Sequence, residues 1–302
     1  MPRPYCLNCG NELRIHSIHS TVERTRSSQQ PVVLVCLHCG LHTLDSRPHY
    51  REMLSLYPED YEPYWEPLDE SGRVVRWARQ RYHRVRSHAV RVVRPEAEMV
   101  LDIGCGTGGF LRLLCQDRSC RGIGLDINEK ALEVAKSQGV NTTIGLASDL
   151  QFGTAAFDVV TMWEVLEHLP TPDQALREVH RVLGKDGHLF LSTPNAESLQ
   201  AGLWREHWAG WEVPRHLQIF TRGSLNQMLE NEGFTVIREF AFPTERYFAM
   251  RSINSWLESR FGWSSIRPHF FAATAWLLWP IFRLIEHTPI SSTIAVAAKK
   301  SA

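Results

Sequence analysis

Between Arg73 and Arg94, apolar residues recur every three or four positions at Val74, Ala78, Tyr82, Val85, Ala89 and Val93, and the stretch stops at Pro95. This spacing predicts an amphipathic helix with proline as its stop. Beyond it the pattern changes. Short aliphatic and β-branched runs alternate with stretches of helical period: MVLDIG, GIGLDI, the region around VNTTIG, FDVVTM, GHLFLST, FTVIREF and TIAVAAK. Seven strands with helical connections predict an α/β, doubly wound sheet. The last two strands bracket a hydrophobic, helical insertion at about 243–290, which contains FFAATAWLLWPIF at 270–282. That run is shorter than the roughly 18 apolar residues of a membrane span. It reads as a buried helix, a dimer contact, or a helix lying in a membrane interface.

The chain before the helix is different in kind. Residues 1–46 hold CLNCG and CLHCG, separated by the polar TRSSQQP and the β-like VVLVC, which predicts two knuckles joined by a hairpin. Residues 47–72 contain too many prolines for one long helix and read as a connecting segment. The expected organisation is a ribbon over 1–46, a connector over 47–72 and a large domain over 73–302.

Two C-x-x-C pairs, Cys6 with Cys9 and Cys36 with Cys39, predict a tetrahedral zinc site, because so small a domain has little core without a metal. His16, His19, His38 and His42 lie nearby, but four thiolates complete the set. Cys105, Cys115 and Cys120 receive no role. The start MPRPYCLNCG lacks the features of a secretory signal, so a cytoplasmic location is expected. Lys plus Arg and Asp plus Glu number 33 each, so the overall charge gives no pull toward nucleic acid or an anionic membrane. The arginines of 73–94 are the one local candidate, either for an anionic partner or as an ordinary solvated face.

The strongest chemical signal is VLDIGCGTGGFLRLL at 100–114, where a strand runs through Asp102 into Gly104, Gly106 and Gly108 and then a helix. Glycines let the backbone turn tightly and approach a ligand. A carboxylate directly before them would repel a pyrophosphate but suits a cationic ammonium group. At the end of the next strand, Asp126 stands where a carboxylate can accept from ribose hydroxyls. Its bland alternative is a helix cap.

VLDIGCGTG, GLDINEKALEVAK and FDVVTMWEVLEHLPTPDQALREVHRVLGKDGHLFLSTPN together resemble the class I S-adenosylmethionine-dependent methyltransferases over residues 98 to about 240, and STIAVAAKK resembles their final antiparallel strand. The resemblance implies a Rossmann-like seven-stranded sheet. It also implies that Asp102, Gly104 and Gly106 surround the amino-acid part of the cofactor, that Asp126 holds the ribose and that Ile127 lies against the adenine. Relatives often place an acid near the adenine amino group; here Leu146 aligns best and Asp149 follows three residues later. Trp163 and Glu164 would lie under the cofactor. His168 and His216 are the candidate bases, and a cap or packing role is open for His168.

The segment LWREHWAGWEVPRHLQIFT at 203–221 resembles a Trp-rich loop with a Pro-x-His pattern, giving Trp204, Trp208, Trp211, Pro214 and His216 either as acceptor-pocket lining or as packing. The N-terminal run also resembles a subgroup with a four-cysteine zinc ribbon, an Arg-Pro segment and paired tyrosines, here Tyr57, Tyr61 and Tyr64, associated with sugar, glycan or secondary-metabolite synthesis. The expected function is methyl transfer to a small-molecule, sugar or lipid-linked glycan acceptor, with peripheral membrane contact through 254–289. An RNA methyltransferase and a non-catalytic adenosylmethionine-binding scaffold are the rivals. Net charge and the lack of an Asn/Asp-Pro-Pro-Tyr/Phe motif count against RNA. Acceptor atom and oligomeric state stay open.

Overall fold

A computed structural model describes residues 5–16, 32–45, 48, 50–56, 73–116, 120–262 and 279–301. Tyr57, Tyr61, Tyr64, His19 and most of the apolar run at 270–282 lie outside the described residues. The chain divides into two compact units. One comprises Pro48–Ser192, Met228–Phe240 and Ala295–Ala302; the other comprises Met1–Arg47, Thr193–Gln227 and Ala241–Ile294.

The first unit carries the predicted sheet. Its strands are β4 (Met99–Ile103), β5 (Arg121–Asp126), β6 (Asn141–Ile144), β7 (Phe157–Trp163), β8 (Leu183–Pro194), β10 (Phe234–Glu239) and β11 (Thr293–Lys300). Their spatial order is β10-β11-β8-β7-β4-β5-β6. β4 pairs in parallel with both β5 and β7, and β10 pairs antiparallel with β11. The chain winds outward from β4 to β6 and then returns to place β7 on the other side of β4. The carboxyl ends of β4 and β7 therefore form the switch point at which open α/β sheets bind ligands.

Val100, Leu101, Ile103, Val159, Val160, Met162, Leu189, Phe190 and Leu191 are all buried, as expected of parallel strands covered on both faces. Each such side chain contributes roughly 1.5–3 kcal/mol. The helix predicted before Pro95 spans Arg73–Val93, and its Ala89 and Val90 are buried. A short helix, Gly109–Cys115, follows β4. The helix Pro172–Val182 starts on proline and buries Ala175, Leu176, Val179 and Val182 at helical spacing against the sheet. Arg181 of that helix pins the loop after β6. Its guanidinium donates to the carbonyls of Phe152 and Leu150 at 2.8 and 2.7 Å and pairs with Glu178. Cys115 and Cys120, to which the sequence assigned no role, form a disulfide joining the end of the Gly109–Cys115 helix to the start of β5.

The second unit contains a four-stranded sheet of order β1-β2-β3-β9, with β1 Leu13–His16, β2 Val33–Cys36, β3 His42–Leu44 and β9 Gln218–Ile219. The predicted hairpin is β1 and β2, antiparallel with Leu13 opposite Cys36. Trp208 and Trp211 are buried. Trp208 stacks on Phe248 at 5.9 Å and meets Trp211 edge-on at 5.4 Å. Glu245, fully buried at the start of the helix Glu245–Phe261, accepts from the Ser292 amide, the Ser292 hydroxyl and the Gln200 amide, so this buried carboxylate is satisfied by donors rather than by a cation. Trp256, Phe261, Ile281 and Leu284 are exposed. Among the described residues, no helix is long and apolar enough to cross a membrane.

Candidate active site

β4 brings Asp102 to the carboxyl edge of the sheet, and the chain then turns through Gly104, Gly106 and Gly108 with φ of 71°, 50° and 77°. These left-handed values suit glycine. The amides of Gly104 and Cys105 donate to the Leu125 carbonyl at 2.7 and 3.1 Å, which ties the turn to the end of β5. A Cβ on Gly104 would run into Val165, and one on Gly108 would stand 2.9 Å from a Val140 methyl. Glycine is thus required by space as well as by φ.

Asp102 is buried and opposes Thr161 in the β4–β7 register, and the Thr161 hydroxyl donates to its Oδ1 at 2.5 Å. Burial pushes the Asp102 carboxyl up to about 7, against the opposing pull of Thr161 and the Arg86 guanidinium. Asp126, also buried, accepts from the Gly106 amide through Oδ2 and from the Asn128 amide through Oδ1, both at 2.9 Å. Burial raises its pKa while these amides oppose the shift. The helix-cap alternative falls to Asn128, whose Oδ1 accepts from the Ala131 amide at the start of the helix Glu129–Ser137. A carboxylate has about four acceptor positions, so Asp126 retains capacity for an incoming hydroxyl beside its backbone amide donors.

At the end of β7, Trp163 is buried with its ring edge-on to Phe110 at 5.5 Å. Glu164 follows with φ of 56°, its amide donating to the Ser192 carbonyl at 3.0 Å. A non-glycine residue in this conformation is uncommon, and such strain concentrates at binding sites. Glu164 Oε1 and Ser192 Oγ are buried without a hydrogen-bond partner, two open polar atoms at the carboxyl edges of adjacent strands.

Arg86 was not singled out by the sequence. Its buried guanidinium lies 3.9 Å from the Tyr82 ring centroid and 5.3 Å from the Trp163 ring, and its charge acts on Asp102. The signal was available in helical phase. Arg86 stands four residues after Tyr82 and three before Ala89, on the apolar stripe rather than among the solvated arginines.

Ile127 is half-buried immediately after β5. Asp149 is exposed, bridges to Leu146 and accepts from the Gln151 side chain. His168 is half-buried and ends a single 3-10 turn, Leu166–His168. His216 is buried in the other unit. Its Nδ1 lies 2.7 Å from the Gly210 carbonyl, so that nitrogen carries the proton, and its Nε2 faces the Glu212 carboxylate at 3.5 Å.

The four predicted cysteines also converge. Each knuckle closes in the same way, with the Gly10 amide bonded to the Cys6 carbonyl and the Gly40 amide to the Cys36 carbonyl, both glycines at left-handed φ. Cys6 and Cys39 sulfurs lie 3.6 Å apart and Cys9 and Cys36 sulfurs 3.4 Å apart, and all four are within 4.8 Å of one another. A tetrahedron with metal–sulfur bonds of ~2.3 Å has sulfur–sulfur edges of about 3.8 Å, so the cluster fits a zinc ion. His42 is not part of it and packs edge-on to Trp211 at 5.4 Å.

Residues 76–239 match the family described as a methyltransferase domain. The chain is 40% identical over 105 residues to the ubiquinone biosynthesis O-methyltransferase of Pseudomonas aeruginosa, covering 32% of this chain and 44% of that one. It is 28% identical over 166 residues to the enzyme of the same name from Haemophilus ducreyi, covering 51% and 66%. The chain thus spans about half the length of the curated relatives it matches.

Among solved structures, 1,6-didemethyltoxoflavin-N1-methyltransferase from Burkholderia thailandensis, with bound S-adenosylhomocysteine, aligns at TM-score 0.53 and 16% identity over 92% of this chain and 99% of that one. The [4+2]-cyclase SpnF aligns at 0.52 and 19%, over 83% and 92%. One scaffold serves a transferase and a cyclase, so these likenesses speak for the fold alone. With its motifs in order along the switch-point sheet and more than half its length matched, the chain belongs to the class I S-adenosylmethionine-dependent methyltransferases.

Proposed function

We propose that the protein is an O-methyltransferase that uses S-adenosylmethionine and acts on a small-molecule acceptor. The observation that carries this reading is the pair of buried acids, Asp102 and Asp126, beside a left-handed glycine turn at the switch point of the sheet. In the proposed arrangement Asp102 faces the ammonium of the cofactor, Gly104 and Gly106 give its backbone room, and Asp126 holds the ribose hydroxyls. Ile127 and Trp163 supply apolar surface, and Arg86 is placed to meet the carboxylate of the amino-acid part. Asp149, exposed and accepting from Gln151, is the proposed acid near the adenine amino group.

The cofactor supplies a sulfonium-activated methyl group, so the protein's work is to hold the acceptor in line and accept its proton. His168 and His216 are the proposed bases. For His216 the Gly210 carbonyl orients the ring through Nδ1, and Nε2 faces the Glu212 carboxylate. The oxygen acceptor follows from the P. aeruginosa and H. ducreyi relatives, which are O-methyltransferases by name. Sugars and lipid-linked glycans belong to the same acceptor class.

In the proposed organisation, residues 1–46 form a ribbon held by zinc on Cys6, Cys9, Cys36 and Cys39, 47–72 connect, and 73–302 form the catalytic domain in the cytoplasm. The exposed Trp256, Phe261, Ile281 and Leu284 favour peripheral membrane contact through 254–289. Vesicle flotation tests that contact, and protein that stays wholly in the soluble fraction refutes it.

Titration calorimetry with S-adenosylmethionine and with its demethylated product tests the central reading. Micromolar binding of both, followed by methyl transfer to phenolic or sugar hydroxyls, is expected. Binding without transfer to any acceptor favours the scaffold, and transfer to RNA with affinity falling steeply in salt favours the RNA enzyme.

A further inference from the structure

Where the helix Arg73–Val93 packs on the helix Gly109–Cys115, a cleft of about 160 Å³ opens between them. Gln80, His83 and Arg84 line it from the first helix, Arg112 from the second, and Gln116 from just beyond. We propose that this cleft is an oxyanion site that takes the phosphate group of a phosphate monoester. It lies apart from the acids of the glycine turn and would bind its ligand whether or not the protein transfers methyl groups.

The charges in the cleft are unbalanced. Arg84 and Arg112 have no ion-pair or hydrogen-bond partner among the described residues, and no described residue lining the cleft carries a carboxylate. The helix Arg73–Val93 contains no acid at all, so its own neighbours at i±3 and i±4 cannot compensate. Two guanidiniums brought to one cleft repel each other unless an anion lies between them, and arginine meets a phosphate with paired, charge-assisted hydrogen bonds.

His83 adds an independent observation. Its Nδ1 is buried with no hydrogen-bond partner. Its ring is seated on Gly109, where a Cβ would stand 2.9 Å from Nε2, so the missing side chain at 109 is what admits the imidazole. Burial, together with the charges of Arg86, Arg79 and Arg112, pushes the ring down to about 3 and keeps it neutral. A merely solvated basic face needs no imidazole seated on a glycine. The two glutamine amides add neutral N–H donors, giving the three-dimensional set of donors that a tetrahedral oxyanion uses better than a planar carboxylate. At about 160 Å³, the cleft has room for several waters and for a phosphate group.

The test is calorimetric titration of the full chain with inorganic phosphate and with glycerol 3-phosphate. Saturable one-to-one binding is expected. It should weaken about tenfold or more in the double variant Arg84→Gln/Arg112→Gln, through loss of charge-assisted bonds. Arg121→Gln removes an exposed arginine of β5 outside the cleft and should leave the affinity unchanged. Circular dichroism of each variant checks that it is folded. No saturable binding by the wild type overturns the proposal, as does an equal loss in Arg121→Gln. Co-sedimentation with phosphatidylcholine vesicles containing phosphatidic acid identifies the source. Sedimentation that needs Arg84 and Arg112 assigns the phosphate to a lipid headgroup, and phosphate binding without sedimentation assigns it to a free ligand.

Discussion

Gly104, Gly106 and Gly108 turn the chain at the edge of a seven-stranded sheet, whereas Gly10 and Gly40 turn it within a ribbon whose strands are only three or four residues long. Both sets use left-handed glycines to gather groups suited to a cation: carboxylates in one case, thiols in the other. Their supports differ. The glycine turn is bonded to Leu125 and Asp126 and rests on buried strands, so its geometry is set before any ligand arrives. The knuckles rest on short strands and a few hydrogen bonds, such as Asn8 to the Ser224 carbonyl and Thr221 to the Cys39 carbonyl, and their four sulfurs face one another. Rigidity comes from the sheet in the first region, and in the proposed holoprotein it comes from the metal in the second.

The sharpest way to break this contrast is to remove the metal. A structural zinc contributes apparent free energy of about 10–16 kcal/mol. Chelation, or Cys36→Ser, should therefore release zinc and expose residues 5–16 and 32–45 to hydrogen exchange while strands β4, β5 and β7 stay protected. Metal analysis showing full occupancy in Cys36→Ser would contradict the ligand assignment.

Asp102→Asn has the next largest effect. The carboxyl is raised from 3.8 to about 7 in the folded chain, so between those values the native state binds more protons than the unfolded one, and stability falls as pH rises. Above pH 7 the penalty is complete. Removing it should raise the stability of the cofactor-free protein at pH 8 by an upper bound of about 4 kcal/mol. Urea denaturation at pH 5 and pH 8 reads this, and a gain no larger at pH 8 than at pH 5 refutes it. A cofactor ammonium would favour the charged form, so wild-type affinity should climb with pH up to about 7 and then level off.

Gly104→Ala follows. It forces alanine into left-handed backbone and against Val165, with an expected loss of about 3 kcal/mol by thermal or denaturant unfolding. The same change at Gly10, whose Cβ would meet nothing within 4 Å, carries the conformational part alone. Equal losses at the two positions would erase the distinction between sheet and ribbon. The smallest effect is Asp126→Ala, which should weaken cofactor binding by about 1 to 3 kcal/mol. Unchanged affinity in calorimetry would remove Asp126 from the site.

What the sequence revealed followed periodicity. The central strands β4, β5, β7 and β8 were visible because parallel strands covered on both faces carry apolar runs, the polar β6 and the half-exposed β10 were legible only from their place between helical stretches, and the helix stop at Pro95 and the cysteine pairs are local signals. Asp102 and the glycines were legible because strand, acid and turn are contiguous. The two residues of β9 were not, since so short a strand has no period and pairs with β3 from some 175 positions away. Arg86 was hidden among other arginines, and Glu245 reads as an ordinary helix-start acid until Gln200 and Ser292 fold onto it. Trp208 and Trp211 looked equally like pocket lining and core; both are buried and meet edge-on, and the sequence carried no sign of that pairing.

The order of the strands also matters for how the protein is made. β11 lies between β8 and β10 although both are translated before it. As the chain leaves the ribosome, β4, β5, β6, β7 and β8 can assemble, but the slot beside β8 stays empty until residues 293–300 emerge. During that interval β8 offers an apolar, unpaired edge to any neighbouring nascent chain. That interval spans the synthesis of residues 195–292, of which the insertion at about 243–290 is roughly half, so lengthening the insertion would prolong the exposure of this edge.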